Sequence, residues 1–269
     1  MEQTLFRILH PRKAQVFVIG TAKSGTHTLA RIWGNQLRAA HEPEAYFSIS
    51  TFFDWKNGVF SDEKLQQIIC EQDKRLWLEV NSSQINFSFL DTLLKIFPAS
   101  KFILTIRNPY SWLDSFLNHQ LSYNCSEYWL KFREYRFRPD LYLHPEEEEV
   151  LKEHSLYTLD GYLSYWNEHN SKVIETVPKE RLLIVRTDQI AQNLDNLAHF
   201  AGLKNGSKLI ANCHVFPSEK KFNILDQLNA DYLDYKIKQH CGEIMTFFFP
   251  DIKSYPDAFK QSSYHTNHY

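Results

Sequence analysis

The stretch QVFVIGTAKSGTHTL, residues 15–29, decides how this chain is read. Gln15 to Gly20 is a short β-branched and aromatic run that stops at a glycine, as a buried strand does. Thr26 to Leu37 then sets Leu29, Ile32, Trp33 and Leu37 at helical spacing. Strand, loop and helix follow one another, with Gly20–Thr28 as the loop. Backbone N–H groups and the dipole at the start of a helix attract anionic oxygens, so this position favours phosphate or sulfate. Gly20 and Gly25 have the spacing of a nucleoside triphosphate loop, but Thr26 stands where that loop requires lysine. Lys23 lies inside the loop instead, where it can reach an oxygen between two anionic groups. Ser24, Thr26 and Thr28 add hydroxyl donors. The purely structural alternative is a glycine turn capped by Ser24 or Thr26.

Outward from this stretch, apolar runs recur at Leu76–Val80, Lys101–Ile106 and Arg181–Val185. Helical patterns separate them at about 61–73, 84–97, 110–121 and 188–203. Alternating strands and helices predict an α/β fold, a mainly parallel central sheet with helices on both faces, because parallel strands need crossover connections. Ligands in such sheets bind beyond the C-terminal strand ends. Residues 122–155 break the alternation with Tyr123, Tyr128, Trp129, Tyr135, Phe137 and Tyr142, then Glu146–Glu149. This segment reads as an insertion or a substrate-covering lid, and its acidic run as a solvated face or first helical turn.

A second anion site is legible at RNPYSWLDS, residues 107–115. Arg107-Asn108-Pro109 ends the strand, and a helix from about Tyr110 brings Ser115 back towards the strand end. Arginine offers a planar fork to a phosphate and serine adds a hydroxyl. A salt-bridging Arg107 and a surface Ser115 are the structural alternative.

The composition bounds these readings. With 269 residues the chain is expected to be one domain, residues 1–269. A net charge of −2 leaves no global footprint for nucleic acid or an anionic membrane, so any anion must be held locally. Cys70, Cys125, Cys213 and Cys241 form no C-x-x-C pair, which suggests a reducing compartment and no metal site. The N-terminal MEQTLFRILHPRK is interrupted by Arg7, and no run approaches the roughly 20 apolar residues of a membrane span. A cytoplasmic protein with no membrane span is the expectation. The end, QSSYHTNHY, reads as a flexible tail.

Taken together, the two segments resemble the sulfotransferases that use 3′-phosphoadenosine 5′-phosphosulfate. AKSGTHTL is similar to that family's 5′-phosphosulfate loop and RNPYSWLDS to its 3′-phosphate element. IFPASKFILTIRNP and RLLIVRTDQIAQNLDNLAHFAGL resemble its strand entry and its later strand and helix, so the likeness runs over about residues 15–250. It implies a nucleotide-kinase-like sheet and that nucleotide as cosubstrate. Lys23 would contact the transferring sulfate and the leaving phosphate. Ser24, Gly25, Thr26, His27 and Thr28 would bind the 5′ end, and Arg107 with Ser115 the 3′-phosphate. His27 departs from the second threonine of the commonest family loop, and no C-terminal Arg-Lys-Gly element is present. Lys220 and Lys221 are a surface pair or a source of charge near the nucleotide.

Transfer to an acceptor hydroxyl benefits from a general base. His41-Glu42-Pro43-Glu44 follows the first helix where a second short strand can end at the site, and Glu42 is the first choice. Some members of the family place a glutamate in a similar segment. Glu44 competes with it, His41 reads as a polar loop residue, and Glu79, Asn81 or Ser82 in WLEVNSS form a secondary acceptor-facing group. Glu79 would need a partner if its strand is covered on both faces. A small-molecule acceptor is expected; its identity and the oligomeric state are not legible. A kinase with a deviant loop and a non-catalytic nucleotide-binding scaffold are the competing readings.

Overall fold

A computed structural model describes residues 2–204, 206, 209 and 220–260. In chain order the first elements are α1 (Glu2–Leu9), β1 (Val16–Val18), α2 (Thr26–Arg31), β2 (Ala39–His41), α3 (Ala45–Lys56) and α4 (Asp62–Leu76). Next come β3 (Val80–Ser82), α5 (Leu90–Ile96), β4 (Lys101–Ile106), α6 (Pro109–Ser122), α7 (Glu127–Phe137) and α8 (Glu149–Glu153). The last are α9 (Leu159–Thr176), β5 (Leu182–Arg186), α10 (Leu194–Phe200), α11 (Ala230–Phe248) and α12 (Tyr255–Lys260). The chain packs as two compact units: everything through Ile106 joins the stretch from Lys172 to Leu209, and Arg107–Ser171 joins the stretch from Lys220.

The first unit holds a five-stranded sheet in the order β2-β3-β1-β4-β5, every pairing parallel. This is the α/β architecture expected from the alternation. β1 is buried throughout because Val16 and Val18 face one side and Phe17 the other. On the valine side Leu29, Ile32, Trp33, Val80, Ile103, Val185 and Leu197 close one core. On the other, the Phe17 ring lies 5.7 Å from that of Phe97 and 5.6 Å from that of Phe102. Burying aromatics on one face and branched aliphatics on the other holds the central strand from both sides.

Boundaries differ from the sequence expectation in four places. The run Leu76–Val80 is not the strand; α4 continues to Leu76, stops on Trp77 at φ 49°, and β3 begins only at Val80. The helix expected from Thr26 to Leu37 ends at Arg31, and turns carry the chain into β2, the short strand anticipated before Glu42. The pattern at 84–97 divides into a 3-10 turn over Gln84–Phe89 and then α5. The pattern at 188–203 divides into 3-10 turns and then α10.

The second unit is helical. Asn108 caps α6 by accepting from the Ser111 N–H at 3.0 Å, and Pro109 opens its first turn. Residues 122–155 contribute α7 and α8, with Phe132, Arg133, Arg136 and Phe137 buried on one side of α7. The acidic run is not wholly solvated: Glu148 is 0% exposed, accepting from the Leu159 N–H and the Tyr232 hydroxyl, both at 2.9 Å. Burial pushes its carboxyl up. Among the described residues no helix is long and apolar enough to cross a membrane. Cys70, Cys125 and Cys241 are free thiols; Cys213 and the tail 261–269 lie outside the described residues.

Candidate functional site: an anion loop and its flanking strand ends

The loop after β1 is held in one shape by close packing. A Cβ on Gly20 would lie 2.0 Å from the Thr105 hydroxyl oxygen and 2.5 Å from that of Ser24, so only glycine fits. Ser24 turns inward at 0% exposure, its hydroxyl donating to the Thr21 carbonyl at 2.6 Å and lying 2.8 Å from the Thr105 hydroxyl. The Ser24 carbonyl accepts from the Thr187 hydroxyl at 2.5 Å, and that hydroxyl lies 3.2 Å from the Ile106 carbonyl. Lys23 at φ 65° and Gly25 at φ 101° are left-handed, and a Cβ on Gly25 would come within 2.9 Å of Ile190. Thr26 then opens α2.

In this arrangement the Ser24 and Thr26 hydroxyls, expected to meet a ligand, have partners within the protein. Ser24 is consumed by the scaffold, and Thr26, 4% exposed, has its hydroxyl 3.3 Å from Nε2 of His41. Lys23, Gly25, His27 and Thr28 remain partly exposed. The polar groups on these partly exposed residues include the Lys23 ammonium and the Thr28 hydroxyl.

His41 is the residue that sequence reasoning passed over. It ends β2 instead of lying in a loop, and its ring meets that of His27 edge-on, with centroids 4.7 Å apart. Burial above all, then His27 and Lys23, lowers its pKa to about 4. His27 is also lowered, first by burial, then by Arg31 and Lys23. Both imidazoles are neutral at pH 7, and the positive charge beside the loop is that of Lys23 and Arg31. The partners of His41 lie on α2, and no local pattern announces them.

The three candidate carboxylates meet different fates. Glu42 directly follows β2, and its N–H donates to the Ser82 carbonyl at 2.8 Å, which extends the β2–β3 ladder. Its carboxylate accepts from the Gln84 side-chain amide at 2.7 Å and is partly exposed. Glu44 caps no N–H of α3; it takes the Arg75 guanidinium in a fork at 2.9 and 2.6 Å and also accepts from Gln72. The Arg75 hydrogen bond holds its carboxyl below the usual range, which makes it a poor proton acceptor. Glu79, expected to face an acceptor, is 2% exposed. Its oxygens accept from the Lys13 and Arg38 N–H groups, each at 2.8 Å, and lie near the Arg38 guanidinium. It ties two chain segments together. Of its companions, Ser82 donates its hydroxyl to the Thr26 carbonyl at 2.6 Å, and Asn81 engages the Asn86 amide.

In the second unit Arg107 immediately precedes the capped start of α6. Its Nε donates to the Ser111 hydroxyl at 3.1 Å, and its carbonyl accepts from the Trp166 indole at 3.1 Å. Ser111 and Ser115 are one helical turn apart, so Arg107, Ser111 and Ser115 form one polar stripe, with Ser115 partly exposed. Ser111 is the member that the sequence reading did not name. Lys221 pairs with Asp114 and Lys220 is exposed, so this pair is at least half engaged in the scaffold. Among the described residues no three His, Cys, Asp or Glu side chains are grouped as a metal site.

A curated relative, "Ava biosynthesis cluster protein M" of Aspergillus versicolor, is 29% identical over 138 residues, 49% of this chain and 51% of that protein. The match thus spans about half the length of that relative. A sulfotransferase from Alicyclobacillus acidocaldarius aligns over 91% of this chain and 94% of its own, at 16% identity and a TM-score of 0.42. A sulfotransferase domain from the curacin biosynthetic pathway aligns over 93% and 98%, at 13% identity and a TM-score of 0.43. The family model described as a sulfotransferase domain matches residues 15–208, which include the anion loop, Glu42, Arg107 and Ser115. The chain belongs to the sulfotransferase domain family.

Proposed function

We propose that this chain transfers a sulfuryl group from 3′-phosphoadenosine 5′-phosphosulfate to a hydroxyl or amine of a small acceptor. The observation that carries the reading is the rigid loop with a lysine inside it in place of the lysine of a triphosphate loop. In the proposed reaction the acceptor oxygen or nitrogen attacks sulfur and the bond from sulfur to the 5′-phosphate oxygen breaks. The products are a sulfated acceptor and 3′-phosphoadenosine 5′-phosphate. The demand on the protein is in-line positioning and stabilisation of charge on the leaving oxygen.

Lys23 is assigned that charge. Gly25 to Thr28 would hold the 5′ end, mainly through backbone N–H groups, with Ser24 shaping the loop beneath them. Arg107 and Ser115, with Ser111 steadying the guanidinium, would hold the 3′-phosphate. Glu42 is the base to which the acceptor proton goes, since Glu44 is held by an arginine and Glu79 is buried. No step requires a metal. We read residues 1–269 as one sulfotransferase-like domain in which 122–155 is an insertion covering the acceptor. A reducing, cytoplasmic setting fits the free thiols.

The test is consumption of the sulfonucleotide in the presence of a panel of phenols, alcohols and amines, with the sulfated product identified by mass. Product formed by the wild type and lost in Glu42→Gln supports the reading. Full activity in Glu42→Gln removes Glu42 from it.

A further inference from the structure

A neutral histidine pair beside a site for anions has a thermodynamic consequence. His27 and His41 sit edge to edge at 4.7 Å, His41 touches the Thr26 hydroxyl, and Lys23 and Arg31 are the cations that bear on the pair. From β2 itself, the next residue is Glu42; β3 beside it consists of Val80, Asn81 and Ser82 and carries no charge. Glu44, two residues further, is neutralised by Arg75. Burial and the cations oppose a proton on either ring; an incoming anion offsets the cations and leaves burial in place.

We infer that the His27–His41 pair takes up a proton when a sulfonucleotide settles on the loop, so that binding there is proton-linked and tightens on acidification. The inference rests on the function proposed above and adds to it a regulation of the same site. Because the rings touch, a second proton meets the repulsion of the first, and net uptake is about one proton. The sign follows from linkage. The pair's affinity for a proton is higher in the complex than in the free protein, so the gain is full below the free-state titration and vanishes above that of the complex. With His41 near 4 in the free protein, affinity should fall as pH rises above that value, by up to about tenfold per pH unit at its steepest, until the titration of the complex is passed.

The experiment uses adenosine 5′-phosphosulfate, whose phosphosulfate does not titrate across this range, so any proton taken up belongs to the protein. Calorimetric titrations of the full chain at pH 5–8, in buffers of different ionisation enthalpy, read proton uptake directly. Uptake in the wild type that is abolished in His41→Asn, and reduced in His27→Thr, is the expected result. The His27 variant changes a partly exposed residue and serves if His41→Asn fails to fold. Binding with no proton uptake, or uptake unchanged in both variants, overturns the inference and leaves the proposed function standing. No binding of this nucleotide at any pH overturns the inference, and the proposed function is then judged on 3′-phosphoadenosine 5′-phosphate, which carries the phosphate assigned to Arg107 and Ser115.

Discussion

The loop at Gly20–Thr28 and the turn at Arg107–Ser115 each leave the C-terminal end of a parallel strand and open a helix, yet they are built on opposite plans. In the first, hydroxyls of Ser24, Thr105 and Thr187 point into the protein and fix the backbone, two residues are left-handed, and glycine is obligatory at position 20. In the second, an ordinary Asn-Pro cap sets the helix, and Arg107, Ser111 and Ser115 form a stripe of side chains. Of the two proposed anion elements, one is thus specified by its shape and the other by its side chains. Substitutions in the loop should mostly damage the fold or the chemistry, whereas substitutions in the turn should mostly damage affinity.

Lys23→Ala is the largest expected break, because the proposed reaction assigns Lys23 the charge on the leaving oxygen and the residue is partly exposed. Steady-state transfer should fall by about 10²–10³-fold, the usual effect of removing one preorganised donor to a developing anion, with an unchanged thermal midpoint. An equal fall in thermal stability would place Lys23 with the scaffold instead.

Acid stability gives the next largest effect. His41 is depressed to about 4 from its ordinary 6.5, so its neutral form contributes stability that is present above pH 6.5 and lost as pH falls towards 4. The loss approaches about 3 kcal/mol at pH 4. Denaturant unfolding of the unliganded protein at pH 7 and pH 4 reads it, and His41→Asn should flatten the difference.

Gly20→Ala sharpens the contrast from the side of shape. Its Cβ would collide with the Thr105 hydroxyl and the backbone oxygen of the same residue, at a cost of about 1–3 kcal/mol for overpacking. Chemical denaturation measures it, and an unchanged midpoint would show that the loop yields.

The smallest effects come from matched serines. Ser24→Ala removes a fully buried hydroxyl and should cost about 1 kcal/mol of stability. Ser115→Ala should leave unfolding unchanged and weaken nucleotide binding severalfold. A reversal of the two outcomes would exchange the roles of the two regions.

The contrast also explains what was legible in the sequence. β4 and β5 are readable because Lys101–Ile106 and Arg181–Val185 are largely apolar runs with clear stops, and the loop at Gly20–Thr28 because it lies between an apolar run and a helical pattern. β3 is displaced because Leu76, Leu78 and Val80 alternate like a strand while Leu76 still closes α4. The direction of a side chain is harder to read, since it depends on partners distant in the chain. Ser24 turns inward to meet Thr105, Glu79 is held by Lys13 and Arg38, and Glu148 is buried under Tyr232. Nothing within a few residues of any of them announces those contacts. His41 is hidden for the same reason, because its partners lie on α2.

The most direct measurement is calorimetric titration with 3′-phosphoadenosine 5′-phosphate beside ATP, on the wild type and on Arg107→Ala. The bisphosphate should bind in preference to ATP, and binding should weaken about tenfold or more in Arg107→Ala as a charged contact is lost. No binding, a preference for ATP, or an affinity indifferent to Arg107 would contradict the proposed function.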